Sequence, residues 1–323
     1  MKRPLVTLSR RLPEAVEQRL GEQFDVRIRS GDAAMSTGEM AQAMRASDAF
    51  VPCVSDRVAR EVVAAVPRGA RIIAQFGAGT NNVDLDAARD VGIVVTNTPG
   101  ALTEDSADLA IALILMTTRR LSEGERELRA GHWTGWRPTH LLGTRVRGKT
   151  LGIIGFGRIG SAVAERARLG LGMRVIFYNR SPVDPATREI SRAEPRDSIE
   201  GVLTESDVVS LHVPATPETR RMIDAAALRA MRRTAFLVNT SRGDVVDEGA
   251  LVEALRDGVI AGAGLDVYER EPTVNPGLLA LPNVALIPHL ASATLETRTA
   301  MGMKVVENLE AYFAGKEPPD RVA

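Results

Sequence analysis

Short apolar runs rich in Val, Ile and Leu alternate along this chain with stretches whose apolar residues recur every three or four positions. The first series of runs covers about Leu5 to Leu8, Asp25 to Ile28, Ala49 to Val51, Arg71 to Gln75 and Gly92 to Val95. Between them, helical spacing covers about Pro13 to Leu20, Thr37 to Arg45, Asp56 to Val66 and Leu85 to Asp90. Strands that alternate with helices build a parallel sheet covered on both faces, so residues 1–98 read as one small α/β domain. The pattern breaks at Asn97-Thr-Pro-Gly100, where a domain boundary is expected, and a long helix of about Glu104 to Ser122 follows. A second series then starts, with strands at about Leu151 to Ile154, Val175 to Tyr178, Val208 to Leu211, Ala235 to Val238, Ala263 to Leu265 and Val284 to Ile287. These six runs predict a second α/β domain over residues 99–289. After Pro288 a last helical pattern, about Thr294 to Phe313, is long enough to return to the first domain, and Pro318-Pro319 is placed to end it. Residues 290–323 are therefore expected to complete the first domain, with two crossovers and a cleft between the domains.

One strand of the second series ends in a backbone signal. In Thr150-Leu-Gly-Ile-Ile-Gly155-Phe-Gly157-Arg158-Ile159-Gly160, three glycines follow an apolar run at the spacing of a dinucleotide-binding turn. Gly155 allows the tight turn, Gly157 lets the backbone approach a pyrophosphate, and Gly160 lets the next helix pack closely. That helix, about Arg158 to Leu169, points its N-terminal N–H groups at the phosphates. About twenty residues on, the next strand ends at Asn179-Arg180-Ser181, where the ribose of a dinucleotide belongs. An acidic residue there would bind both ribose hydroxyls and repel a 2′-phosphate. A neutral Asn followed by Arg and Ser predicts NADP(H) in preference to NAD(H), with NAD(H) still possible.

Composition narrows the class. The chain has 323 residues, enough for two domains, and 41 basic residues balance 41 acidic ones. No long-range field recruits nucleic acid or an anionic membrane, so local groups must hold a small anionic substrate. The one cysteine, Cys53, excludes an internal disulfide framework and a thiolate metal site, and fits a cytoplasmic location. Lys2 and Arg3 precede only a short apolar stretch before Arg10-Arg11, which is no signal peptide, and the run Leu109 to Met116 is too short to span a bilayer. Both tryptophans, Trp133 and Trp136, fall in the irregular segment Gly131 to Pro138. That placement suits either a contact surface such as a dimer arm or packing on the domain's own core.

Candidate catalytic residues follow the strand ends of the second domain. Thr240-Ser241-Arg242-Gly243 places a guanidinium, whose planar fork matches a carboxylate, at the carboxyl edge of the sheet. The next strand ends in Asp266-Val-Tyr-Glu-Arg-Glu271-Pro272, and the one after it in Pro288-His289-Leu-Ala-Ser292. One strand apart, Glu271 and His289 come within reach, and a carboxylate neighbour favours the charged imidazole needed in a general acid. His212 ends a strand without an acidic partner in sequence, and reads as structural or cofactor-adjacent. No two histidines have metal-binding spacing, so no metal is expected. In the first domain, Gln75-Phe-Gly77-Ala78-Gly79-Thr80 forms a second glycine turn; it is either an ordinary turn or an anion nest for a substrate carboxylate.

Taken together, these motifs make the chain resemble the D-isomer-specific 2-hydroxyacid dehydrogenase family along nearly its whole length, most closely its glyoxylate/hydroxypyruvate reductases. The resemblance implies a Rossmann-type doubly wound nucleotide-binding domain inserted in a smaller flavodoxin-like α/β substrate domain. It implies that Arg242 binds and polarises a 2-keto acid, that His289 donates the proton, that Glu271 orients His289, and that the Ala78 and Gly79 amides hold the substrate carboxylate. For the cofactor it implies contacts from Arg158 and Ile159 at the pyrophosphate, and from Val213, Pro214, Thr219, Thr240 and Asp266 around the adenosine and nicotinamide, with Ser241 and Ser292 nearby. Glyoxylate and hydroxypyruvate would be reduced to glycolate and D-glycerate, in a homodimer joined through the nucleotide domain. Two alternatives share the fold: another D-2-hydroxyacid dehydrogenase, such as a phosphoglycerate dehydrogenase, and a dinucleotide-sensing protein like the C-terminal-binding transcriptional co-repressors.

Overall fold

The computed structural model describes residues 3–31, 33–64 and 69–323; Lys2 and the last residues expected in the third helix, Ala65 and Val66, lie outside them. The chain forms two compact units, Met1–Leu102 with Ser292–Ala323, and Thr103–Ala291. The first unit opens with β1 (Leu5–Leu8), α1 (Glu14–Gln23), β2 (Asp25–Ile28), α2 (Thr37–Ala46) and β3 (Ala49–Val51), then α3 (Arg60–Ala64), β4 (Ile72–Ala74), α4 (Leu85–Asp90) and β5 (Val94–Thr96). Its strands pair in parallel in the order β2-β1-β3-β4-β5, the flavodoxin-like order. The three-residue strands β3 and β4 are buried throughout, as a sheet covered on both faces requires.

The second unit contains α5 (Thr103–Thr118), α6 (Leu121–Arg129), β6 (Thr150–Ile154), α7 (Arg158–Leu169), β7 (Arg174–Tyr178), α8 (Pro185–Glu189), β8 (Glu194–Pro195) and α9 (Ile199–Glu205). It continues through β9 (Val208–Leu211), α10 (Ala225–Ala230), β10 (Phe236–Asn239), α11 (Glu248–Arg256), β11 (Gly262–Leu265), α12 (Pro276–Leu279) and β12 (Val284–Leu286). The sheet order is β12-β11-β10-β9-β6-β7-β8, the doubly wound arrangement with one further strand at β12. Order reverses between β6 and β9, which places a ligand crevice at their carboxyl ends. The inner strands are fully buried between two apolar layers. One contains Leu113 and Ile114 of α5 with Val163, Ala164 and Ala167 of α7; the other contains Leu228, Leu251 and Leu255. Finally, α13 (Leu295–Phe313) returns to the first unit, where Val305, Val306 and Leu309 join the core formed by Val6, Leu8, Val16 and Leu20.

Three sequence expectations need correction. The helix expected over about Glu104 to Ser122 is two helices. The Thr118 carbonyl accepts the Thr144 N–H at 2.7 Å, and Arg120 turns left-handed with φ 55°, so α5 ends at Thr118 and α6 begins at Leu121. The second sheet has a seventh strand, β8, whose two residues are exposed at the edge and carry no hydrophobic signal. The last helix is ended by Gly315 rather than by Pro318-Pro319: with Gly315 at φ 71°, its N–H bonds to the Tyr312 carbonyl and the Lys316 N–H to the Ala311 carbonyl, a Schellman cap.

Candidate active site

The glycine turn lies at the carboxyl end of β6, in the second unit. Gly155 has φ 94°, and a Cβ there would stand 2.5 Å from the His212 carbonyl oxygen of the neighbouring strand end. A Cβ on Gly160 would collide with the Gly155 carbonyl oxygen, so the start of α7 sits directly on the turn. Gly157, by contrast, is the N-cap of α7 and faces open space. Two positions are closed by the protein and the middle one is open, the pattern that lets a pyrophosphate approach the backbone and the N-terminus of α7, where Arg158 and Ile159 begin the helix. Just after β10, Thr240 is buried and its hydroxyl has no partner among the described residues. These features fit a dinucleotide.

At the end of β7, Asn179 is committed within the chain. Its Oδ1 accepts the Phe156 N–H at 2.9 Å, and its Nδ2 donates to the Ser181 carbonyl at 2.8 Å. This side chain ties the strand end to the glycine turn, while Arg180 and Ser181 are exposed beside it. Val213, Pro214 and Thr219 lie in the loop after β9, where the Thr219 hydroxyl donates to the Pro214 carbonyl at 2.6 Å and accepts the Thr216 N–H at 2.8 Å. His212 opens that loop, with its Nε2 2.8 Å from the Ser210 hydroxyl; burial pulls the imidazole down to about 4 and keeps it neutral.

Three adjacent strand ends bring the candidate catalytic groups together. After β10, the buried Asn239 shapes the loop, accepting the Ser241 N–H at 3.0 Å and hydroxyl at 2.8 Å while donating to the Arg242 carbonyl at 2.9 Å. After β11, the Glu271 carboxylate divides its oxygens: Oε1 accepts the Tyr268 N–H at 3.1 Å and Oε2 lies 2.8 Å from His289 Nδ1. After β12, His289 has a left-handed φ of 53°, uncommon for a residue with a Cβ. Asp266 holds that turn. Its carbonyl accepts the His289 N–H at 2.8 Å, and its fully buried carboxylate accepts the N–H groups of Leu290 at 2.5 Å and Ala291 at 3.0 Å. The sequence placed Asp266 at the cofactor and did not foresee this part; nor did it assign any role to Asn239 or Tyr268.

Electrostatics follow from burial and proximity. Burial pushes the Glu271 carboxyl up, but the hydrogen bond and charge of His289, the Tyr268 N–H and the Arg242 guanidinium outweigh it and hold the group below the usual carboxylate range. Burial pushes Arg242 down from its ordinary value while the Glu271 charge acts against that shift. Glu271 is therefore an anion across the neutral range, able to accept from Nδ1–H and leave Nε2 outside this bond. A second pair of this type, His140 Nε2 with Glu127 Oε2 at 2.8 Å, ties the irregular segment to α6. It shows that a Glu–His contact alone does not mark a site.

In the first unit, the turn after β4 is shaped by its carbonyls: Asn97 Nδ2 donates to the Ala78 carbonyl at 2.6 Å and the Thr98 N–H to the Gly77 carbonyl at 3.0 Å. The half-buried N–H groups of Ala78 and Gly79 have no partner among the described residues, as an anion nest requires. Ser292 opens the chain's return to this unit, and its carbonyl accepts the Thr294 N–H at 3.0 Å.

Residues 111–291 match the family model for the NAD-binding domain of D-isomer-specific 2-hydroxyacid dehydrogenases. The chain is 45% identical over 324 residues to a glyoxylate reductase of Thermococcus litoralis, covering 99% of this chain and 97% of that one. It is 46% identical to a glyoxylate reductase of Aeropyrum pernix, covering 100% and 96%. Among solved structures, an NADPH-dependent glyoxylate/hydroxypyruvate reductase of Sinorhizobium meliloti, in complex with NADP and malonate, superposes with a TM-score of 0.88 at 37% identity, covering 100% of this chain and 97% of that one. A protein of Thermus thermophilus superposes with a TM-score of 0.91 at 44% identity, covering 99% and 100%.

Proposed function

The chain belongs to the D-isomer-specific 2-hydroxyacid dehydrogenase family, and from that premise we propose that it is an NADPH-preferring reductase of small 2-keto acids, taking glyoxylate to glycolate and hydroxypyruvate to D-glycerate. The observation that carries this reading is the 2.8 Å pair of His289 and Glu271, held on strand ends next to the one that bears Arg242 and in the same unit as the glycine turn. The likeness to enzymes described as glyoxylate reductases supports the substrate class.

In this reading, Gly155, Gly157 and Gly160 with Arg158, Ile159 and Thr240 hold the dinucleotide, and Val213, Pro214, Thr219, Ser241 and Ser292 complete its surroundings. The reduced nicotinamide supplies a hydride to the keto carbon. Arg242 binds the 2-keto acid and draws electron density toward the carbonyl oxygen, and His289 Nε2 gives that oxygen a proton, so that hydride and proton together yield the 2-hydroxy acid. Glu271 holds Nδ1–H, which keeps the ring oriented and balances its positive charge until the proton leaves. The free N–H groups of Ala78 and Gly79 receive the substrate carboxylate. Arg180 and Ser181, exposed at the end of β7, receive the 2′-phosphate.

The reading extends to assembly and location. Trp133 and Trp136 are 52% and 83% exposed, with Leu121 and Leu128 also exposed on the neighbouring α6, an apolar surface suited to a homodimer through the nucleotide-binding unit. The free Cys53 suits the reducing cytoplasm. A spectrophotometric panel of small 2-keto acids against NADPH and NADH tests the function. Turnover of glyoxylate or hydroxypyruvate with NADPH is expected; tight dinucleotide binding without turnover of any 2-keto acid would refute it in favour of a nucleotide-sensing role.

A further inference from the structure

Tyr268 is 7% exposed on the loop after β11, and three separate contacts lead from it to the three candidate catalytic residues. Its phenol donates to the Ile287 carbonyl at 2.9 Å, two residues before His289, with the Leu265 carbonyl at 3.3 Å. Its own N–H occupies Glu271 Oε1 at 3.1 Å, which leaves Oε2 for His289. Its carbonyl group backs directly onto Gly243, where a Cβ would collide with it, and Gly243 is the residue after Arg242. Burial, with the charge of Asp266 beside it, pushes the phenol above its ordinary value, so it stays protonated and serves as a donor. The turn it braces contains His289 in a left-handed conformation that only its surroundings can maintain.

We propose that Tyr268 is a positioning residue, whose hydroxyl clamps the β11 loop to the end of β12 and thereby sets the Glu271–His289 hydrogen bond; the inference rests on the reductase reading above. The ring packs against Val245, Leu265 and other core residues as any aromatic would. The hydroxyl is what makes it specific to the site, since phenylalanine would fill the same volume and leave the Ile287 carbonyl without this donor.

Tyr268→Phe is the test. One hydrogen bond removed from the support of the general acid is expected to lower kcat roughly fivefold. NADPH affinity, substrate KM and Tm should remain close to those of the wild type. A readout independent of turnover is the downfield proton resonance of the Glu271–His289 hydrogen bond, assigned by its loss in Glu271→Ala; it is expected to shift or broaden in Tyr268→Phe. An unchanged resonance overturns the proposal, as does unchanged kcat where the wild type is active. A variant that fails to fold, or loses kcat, cofactor affinity and Tm together, overturns it too, because Tyr268 would then be only a core residue. Should the wild type turn over no 2-keto acid, the reductase reading fails while the resonance still decides the role of Tyr268.

Discussion

Glu271→Gln removes one charge from the site and one of the two acceptors that serve the Tyr268 N–H and His289 Nδ1–H. Glutamine keeps the length of the side chain and an oxygen that can accept from His289 Nδ1–H, but cannot balance the imidazolium. A charge-assisted hydrogen bond contributes about 1.5 to 3 kcal/mol, against about 1 kcal/mol for a neutral one. Here the His289 and Glu271 side chains are 30% and 33% exposed, so solvent screens the pair and keeps the loss below the upper limit of that difference, about 2 kcal/mol. A loss near 1.4 kcal/mol lowers kcat for glyoxylate or hydroxypyruvate about tenfold, read as the rate of NADPH absorbance loss at saturating cofactor. His289→Ala removes the acid itself and should cost roughly 10² to 10⁴ in kcat while NADPH still binds. Because Glu271 acts through the imidazole, adding Glu271→Gln to His289→Ala should cost almost nothing more. A double variant slower than His289→Ala by the full tenfold would show that Glu271 works by another route. Near-normal turnover in His289→Ala would remove the imidazole from the mechanism.

Arg180→Ala should reduce the preference for NADPH over NADH in kcat/KM by roughly 10- to 100-fold, the worth of a charge-assisted contact to a 2′-phosphate; a wild-type enzyme that already prefers NADH refutes the assignment. His212 makes stability depend on acid: its imidazole titrates at about 4 in the folded chain against 6.5 ordinarily, so the unfolded chain takes up the proton first. The stability concerned is complete above pH 6.5 and falls as pH drops toward 4, by about 2 kcal/mol at pH 5. Urea titrations of wild type and His212→Gln at pH 7 and pH 5 should show that difference, and equal losses would refute it. For assembly, Trp133→Ser combined with Trp136→Ser should shift the mass measured by light scattering toward that of one chain, and an unchanged dimer mass would place the interface elsewhere.

Much of this protein was legible in local sequence because the signals are local. Alternation of apolar runs with helical spacing requires only neighbouring residues, and it located all five strands of the first sheet and the inner strands of the second to within a residue or two. The three glycines of the turn are likewise a matter of adjacent backbone, and each has a physical reason in the fold: two face a carbonyl and one faces open space. Even the approach of Glu271 to His289 could be anticipated, since strands consecutive in sequence tend to be neighbours in a sheet.

Other features depended on residues far apart in the chain. The edge strand β8 exists because Glu194 and Pro195 pair with β7, and two exposed residues carry no pattern to detect. The break between α5 and α6 depends on the Thr144 N–H, which reaches the Thr118 carbonyl across an intervening segment. Asn179 and Asp266 were expected at the cofactor, and the sequence did not show that the Asn179 carboxamide also ties the turn at Phe156 to Ser181 or that the Asp266 carboxylate also holds the loop behind His289. By itself the sequence determined where most strands and helices and the glycine turn would form, because propensity and periodicity act over a few residues. Only the tertiary structure decided which polar side chains brace the site and through which atoms, because a hydrogen bond selects its partner by position in space.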